Sequence, residues 1–128
     1  MFEYFRSDEN IARIKAQDTA TQEKLIEALL LVMYADGIVK LSEKGELEKI
    51  LDSIPWKEDL RYRGAFGGIM AKVRDAVDDE SKAAPIITGI RGLDDSAHQF
   101  VIAACESMAE ADGHADTAET SMIGRLRK

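Results

Sequence analysis

The sequence has few of the residues that cross-link small proteins or interrupt helices. Its 128 residues include one cysteine and two prolines, and a single cysteine excludes a disulfide within the chain. The fold must therefore rest on a hydrophobic core, for which 45% apolar residues is an ordinary proportion. Cys105, in the apolar segment FVIAAC, is expected to be a small buried thiol, and sparing use of cysteine fits a reducing compartment.

Long apolar runs are also absent from the sequence. The longest run is Ala28 to Ala35, far short of the ~20 residues that a membrane-spanning helix requires. The opening residues MFEYFRSDEN contain acids where a secretory signal would be basic. We therefore expect a cytoplasmic protein with no transmembrane segment. Phe2, Tyr4 and Phe5 would either pack back on the domain or contact a membrane surface.

Basic residues are missing from the last third of the chain. The net charge is −7, and no Lys or Arg occurs between Arg91 and Arg125. Seven acids lie in that stretch: Asp94, Asp95, Glu106, Glu110, Asp112, Asp116 and Glu119. This charge argues against a nucleic-acid partner, because such binders present basic patches. It favours a cation or a basic protein partner, with a merely solvated surface as the alternative.

Strand signals are nearly absent, and helical signals are strong. There is no Asn-Gly hairpin and no alternating β-branched run, whereas apolar residues recur at helical spacing along the chain. The sequence predicts an all-α, single-domain bundle of about seven helices. Their predicted starts are near Ser7 or Asp8, Thr19, Ser42, Glu58, Glu80, Asp94 or Asp95, and Thr117.

The second predicted helix, TATQEKLIEALLLVMYA, is apolar on nearly every side. A helix with this pattern is expected to lie at the centre of a fold. Thr19 and Gln22 have the spacing of a capping box, in which each side chain binds a free amide at the helix start.

Three further features carry local predictions. Gly64, Gly67 and Gly68 lie inside the fourth predicted helix and indicate either a kink or a close helix crossing. Trp56 is expected to cover an edge of the core. His98, in a first helical turn after acidic capping residues, is expected to be exposed.

An internal repeat relates the two halves of the chain. YADGIVKLSE, residues 34–43, and EADGHADTAE, residues 110–119, align without a gap, so that their Asp, Gly and Glu residues coincide. When the alignment is extended in both directions, apolar residues of the first half also fall on apolar residues of the second. We predict two pseudo-symmetric halves, roughly 19–54 and 95–127, each with a long buried helix, an acidic turn and a shorter helix.

The acidic turns have two interpretations. Their Asp-Gly-x5-Glu pattern matches the second half of an EF-hand calcium loop, but the earlier ligand positions hold Val32 and Tyr34 in the first turn, so a complete EF-hand is not expected. The candidate ligands for a divalent cation (calcium, magnesium, manganese or zinc) are Asp36, Glu43, Glu110, Asp112, Asp116 and Glu119, with His114 as a nitrogen donor. In the second interpretation the acids are structural, because helix starts favour negative side chains.

No set of catalytic residues is apparent. The sequence has no Gly-rich phosphate loop, and its one cysteine and two histidines could form a dyad only if the fold happened to bring them together. The acidic pairs have no apolar surroundings that would separate their pKa values. We therefore interpret the protein as a non-enzyme.

The two segments ALLLVMYADGIVKLSEKGELEKIL and FVIAACESMAEADGHADTAETSMIGRL resemble the tellurite-resistance family TerB, a domain type shared with DjlA-like co-chaperones. The resemblance implies a seven-helix pseudo-symmetric fold, a bacterial stress-response role with protein partners, and a divalent-metal site. By this resemblance Asp36 with Glu43, and Asp112 with Glu119, are the acidic positions of the family. Lys40 stands where the second turn has Asp116, which favours the second site.

Overall fold

The computed structural model describes residues 7–35, 54, 56, 65–111 and 117–127. These residues form six α-helices and no strand, which confirms the all-α prediction. The helices are α1 (Asp8–Lys15), α2 (Thr19–Tyr34), α3 (Ala65–Val77), α4 (Glu80–Arg91), α5 (Asp95–Ala111) and α6 (Thr117–Leu126). They correspond to six of the seven predicted helices. The remaining helix, predicted after Ser42, falls outside the described residues.

Helix α2 lies at the centre of the packing, as its apolar pattern predicts. Eleven of its 16 residues are buried, and it packs against α3, α4, α5 and α6. Leu25, Leu30 and Leu31 are almost entirely enclosed. Because neighbours surround α2, most of its circumference is buried, and a helix in that position has little room for polar side chains.

The start of α2 differs from the prediction. The backbone amide of Thr21 donates to Oδ1 of Asp18 at 2.8 Å, so Asp18 is the N-cap and Thr19 is the first helical residue. The predicted Thr19–Gln22 capping box is therefore wrong. Gln22 is buried, and its Nε2 donates instead to the carbonyl of Ile14, in the last turn of α1, at 2.8 Å.

Helix α5 begins in the same way as α2. The amide of Ala97 donates to Oδ1 of Asp94 at 2.9 Å, so Asp94, and not Asp95, caps α5. Asp18 and Asp94 occupy equivalent positions when the alignment of the two acidic turns is extended toward the amino terminus. The repeat over 19–54 and 95–127 and the single-domain assignment for 1–128 stay predictions, because all of 36–53 and all of 112–116 fall outside the described residues.

The glycines of α3 do not mark a close helix crossing. Gly67 and Gly68 are exposed, and a methyl group added at either would meet no neighbouring atom within 4 Å. That alternative is therefore wrong for these two positions, and Gly64 falls outside the described residues. Trp56, which was predicted to cover an edge of the core, is buried among the core residues. None of the helices within the described ranges has the length and hydropathy of a membrane span.

Candidate functional site

The structure describes little of the predicted acidic turns directly. Asp36, Glu43, Asp112, Asp116 and also His114 fall outside the described residues. The backbone of Glu110 lies in the last turn of α5, and Glu119 lies half-buried in the first turn of α6. Within the part of the chain that is described, no three His, Cys, Asp or Glu side chains form a group that could hold a metal. The six-residue ligand set stays a prediction.

Helices α5 and α6 form an antiparallel hairpin that is closed at the end opposite the acidic turn. Nε2 of His98, in the first turns of α5, lies 2.7 Å from the carbonyl oxygen of Leu126, the last residue of α6. Because a carbonyl oxygen only accepts, Nε2 carries the proton and donates. The expectation that His98 is exposed is wrong: its side chain faces α6, and the residue is 7% exposed.

Two ion pairs also hold the carboxyl end of α6. Nη2 of Arg127 lies 2.6 Å from Oε1 of Glu106 on α5, and Arg125 pairs with Glu80 on α4. All four side chains are substantially exposed, so each pair contributes little to stability on its own. The pairs do, however, occupy the two arginines that lie closest in sequence to the second acidic turn.

The hairpin brings the ends of the two helices that flank the second acidic turn to one side of the fold. Helix α5 ends at Ala111 and α6 begins at Thr117, and Asp112 and Asp116 lie in the short connection between them. Arg125 stands six residues beyond Glu119, ~9 Å along the helix axis, which is about one screening length at physiological salt. The predicted second turn is therefore flanked by acids on both helices, and the arginine nearest to it in sequence is paired with Glu80.

The surroundings of the first acidic turn are different. At the end of α2, Tyr34 lines a small cavity of about 60 Å³ together with Arg74, Val77 and Asp78. Arg74 and Asp78, at the carboxyl end of α3, thus bring one positive and one negative side chain to the cavity that the end of α2 lines.

A fully buried carboxylate is the feature that the sequence analysis missed. The side chain of Glu27, in the middle of α2, is 0% exposed, with Nζ of Lys24 at 3.5 Å and Nζ of Lys72 on α3 at 3.4 Å. Two ammonium groups thus compensate one buried carboxylate. The signal was available, because Glu27 is the single charged residue between Leu25 and Ala35.

Gly89 on α4 makes room for one of these lysines. A methyl group added at Gly89 would lie 3.0 Å from Nζ of Lys24, so the ammonium group passes close over the α4 backbone. The cluster of Glu27, Lys24 and Lys72 thereby links α2 with α3 and rests against α4. Lysines only donate hydrogen bonds, so this cluster is an ion-pair network and not a cation site.

The single cysteine is a buried core residue, as expected. Cys105 is 0% exposed. Desolvation, with a smaller contribution from the neighbouring charge of Glu106, raises the pKa of its thiol to about 12. Since the thiolate is the reactive form of cysteine, this residue is chemically inert at neutral pH.

The fold and its helix hairpin define an all-α bundle class built around a buried central helix. A family model described as Tellurite resistance protein TerB matches residues 22–128, which include both acidic turns and most of the chain. The chain belongs to the TerB family, and the resemblance seen in the two acidic segments is confirmed. No curated protein and no solved structure matches the chain.

Proposed function

We propose that this chain is a non-enzymatic module of a cellular response to tellurite or chemical stress, and that it binds a divalent cation at its acidic helix turns. The description of its family supports the tellurite-resistance context. The buried, inert thiol of Cys105 and the engagement of His98 with a backbone carbonyl support a role without catalysis.

One observation carries the choice of site: the hairpin of α5 and α6 is closed at its far end by the bond between His98 and Leu126. We infer that this contact limits the movement of α6 along α5, and therefore of the helix ends that flank the second acidic turn; a preorganised site loses less entropy when it binds an ion. The proposed ligands at this turn are Glu110, Asp112, Asp116 and Glu119. Carboxylate oxygens suit calcium, magnesium and manganese, and His114 would add a donor suited to zinc.

The first acidic turn, with Asp36 and Glu43, is proposed as the weaker site. Lys40 stands at the position where the second turn has Asp116. The first turn therefore has a positive side chain in place of a negative one, and a metal cation would be repelled by it.

A second candidate function is a protein-interaction scaffold whose acidic turns are structural. The position of Glu119 favours it, because an acid in the first turn of α6 is stabilised by the helix dipole without any ion. Under either function we propose a cytoplasmic protein with a protein partner in a stress-response complex, at a membrane surface if the amino-terminal aromatic residues contact lipid. The net charge of −7 makes nucleic acid an unfavourable partner.

Calorimetric titration of the intact protein with calcium, magnesium, manganese and zinc separates the two functions. We expect binding of at least one ion below millimolar concentration, and Asp112→Asn should weaken it more than Asp36→Asn. Asp36→Asn serves as the matched control, because it makes the same change at the equivalent position of the other half. Absence of submillimolar binding would favour the scaffold, and the reverse order of the variants would place the stronger site at the first turn.

A further inference from the structure

We propose that the surface of α2 around Gln22, which receives α1, is also an interaction surface for a second copy of this chain. The second copy inserts its own α1 there by reciprocal exchange, each chain straightens between α1 and α2, and the two copies cross at Asp18. This surface includes none of the proposed cation ligands. The inference therefore goes beyond the proposed function and stands independently of it.

The buried contact that holds α1 on α2 is small. Ile14 is the buried residue of α1, and Gln22, which is 0% exposed, donates from Nε2 to the carbonyl of Ile14 at 2.8 Å. The eight residues of α1 are fewer than the ~12–15 that an isolated helix needs for marginal stability in water. Helix α1 therefore depends on this surface of α2, and the surface fits α1 whichever copy supplies it.

The bend between α1 and α2 is set by a capping side chain and not by a helix-breaking residue. No glycine or proline occurs between Asp8 and Tyr34, so the sequence permits one continuous helix over that range. The backbone is extended at Asp18, with ψ at 169°, and the carboxylate there accepts the amide of Thr21. An aspartate bound in this way competes with continuation of the helix. The connection is therefore a hinge with a bent, capped form and a straight form.

The residues of the contact lie symmetrically about this hinge. Ile14 and Gln22 stand four residues before and after Asp18, and Ile11 and Leu25 stand seven residues before and after it. At these spacings all five residues share one face of a continuous helix. Two such helices that cross antiparallel at Asp18 would place Ile14 of each copy beside Gln22 of the other, ~6 Å along the axis from the crossing.

The exchange costs little because it replaces contacts with equivalent ones. The buried contact between positions 14 and 22 is kept, and the straightened hinge adds backbone hydrogen bonds of the helix. Exchange of an identical element between copies is a low-cost route to a dimer. Against it stand the loss of the Asp18 cap and the repulsion of two carboxylates that meet at the crossing. We therefore expect a monomer in dilute solution and a dimer that forms as the protein concentration rises.

Two substitutions shift the hinge in opposite directions. Asp18→Ala removes the cap from the bent form and the repulsion from the straight form, so it should raise the association constant at least about tenfold. Thr19→Pro should suppress the dimer. Proline suits the first position of a helix, which Thr19 occupies in the bent form, and the extended backbone of Asp18 suits a residue before proline. Inside a continuous helix, proline is unfavourable by ~100-fold or more in each chain.

The test measures sedimentation of the full chain up to millimolar concentration for the wild type, Asp18→Ala, Thr19→Pro and the double variant. We expect the dimer fraction to be highest in Asp18→Ala, lower in the wild type and negligible in Thr19→Pro. The double variant should be monomeric, because proline blocks straightening whether or not the cap is present. In a dimer of mixed isotope-labelled and unlabelled copies, filtered nuclear Overhauser effects should connect Ile14 of one copy with the side-chain amide of Gln22 of the other.

Three results would each overturn the inference. They are a wild type that stays monomeric at millimolar concentration, a dimer that Thr19→Pro leaves intact, and a dimer in which Ile14 contacts Gln22 only within its own copy. The last two would show that the copies associate through another surface. Should Asp18→Ala not fold, the comparison of the wild type with Thr19→Pro decides alone, because proline at the first helical position preserves the bent form.

Discussion

Helices α2 and α5 are related by the sequence repeat, yet the protein uses them differently. They agree at their starts, where Asp18 and Asp94 are the N-caps and Gln22 and His98 are buried donors to helical carbonyls. They differ at their middles. Glu27 is completely buried in α2, whereas its counterpart in the repeat, Ala103, is exposed on α5.

The difference follows from the number of neighbours around each helix. Among the described helices, α2 is packed by α3, α4, α5 and α6, whereas α5 packs mainly against α2 and α6. The side of α5 that has no such neighbour is exposed at Gln99, Ala103 and Ser107. A repeat thus fixes which residues begin a helix and which face its partner, but the surrounding helices decide whether the remaining side is buried.

The largest expected effect comes from removing the compensation of Glu27. The double variant Lys24→Met/Lys72→Met leaves its carboxylate buried and unpaired, which should lower the free energy of unfolding by roughly 3–5 kcal/mol, as measured by urea denaturation. Adding Glu27→Gln should recover part of that loss, because no buried charge then remains. The matched change on α5, Ala103→Glu, should alter stability by no more than about 0.5 kcal/mol. If Lys24→Met/Lys72→Met and Ala103→Glu lowered the free energy of unfolding equally, the difference described between α2 and α5 would be contradicted.

A smaller effect is expected at the buried donors that the two helices share. His98→Leu removes the side-chain donor to the buried carbonyl of Leu126 and should lower stability by about 1–3 kcal/mol. Gln22→Leu should cost less, about 0.5–1.5 kcal/mol, because the amide of Gln17 still donates to the carbonyl of Ile14 at 3.1 Å. Hydrogen exchange should then show the local consequence in different places, α1 for Gln22→Leu and α6 for His98→Leu. Faster exchange of the same helix in both variants would show that the two donors do not hold separate parts of the fold.

The smallest effect is expected at the capping residues. Asp94→Ala should cost about 1 kcal/mol, and Asp18→Ala should change stability in the same direction. The hydrogen bonds from Thr21 lower the pKa of Asp18, so this carboxylate stabilises the fold above its unfolded-state pKa and the contribution disappears as the pH falls through the lower folded-state pKa. Thermal melts of Asp18→Ala should therefore converge with those of the wild type at acidic pH. A difference that grew on acidification would contradict this assignment.

Much of the fold could be predicted from the sequence because it depends on periodicity. The apolar pattern of α2 located the central helix, and the two acidic segments identified the family. The errors concern the environment of single residues. The N-cap of α2 is Asp18, one residue before the predicted Thr19. His98 was predicted to be exposed, because the sequence does not show which helix packs over the first turn of α5.

The candidate site could be predicted only as a set of residues, because its ligands meet through tertiary structure. Sequence spacing placed Glu110 and Glu119 on the helices that flank one turn, and the described helices agree with that placement. The closure of the hairpin by His98 and the cavity that Tyr34 lines together with Arg74 and Asp78 depend on packing between distant segments. No local pattern encodes either contact.

The central claim is that the second half, and not the first, carries the stronger cation site. Manganese titrated into the isotopically labelled protein tests it most directly, since this paramagnetic ion broadens the amide resonances of nearby residues. At the lowest ratios we predict broadening within residues 110–119, with residues 34–43 affected only at higher ratios. Broadening that begins at 34–43, or that spreads over exposed acids with no preference for either turn, would contradict the account.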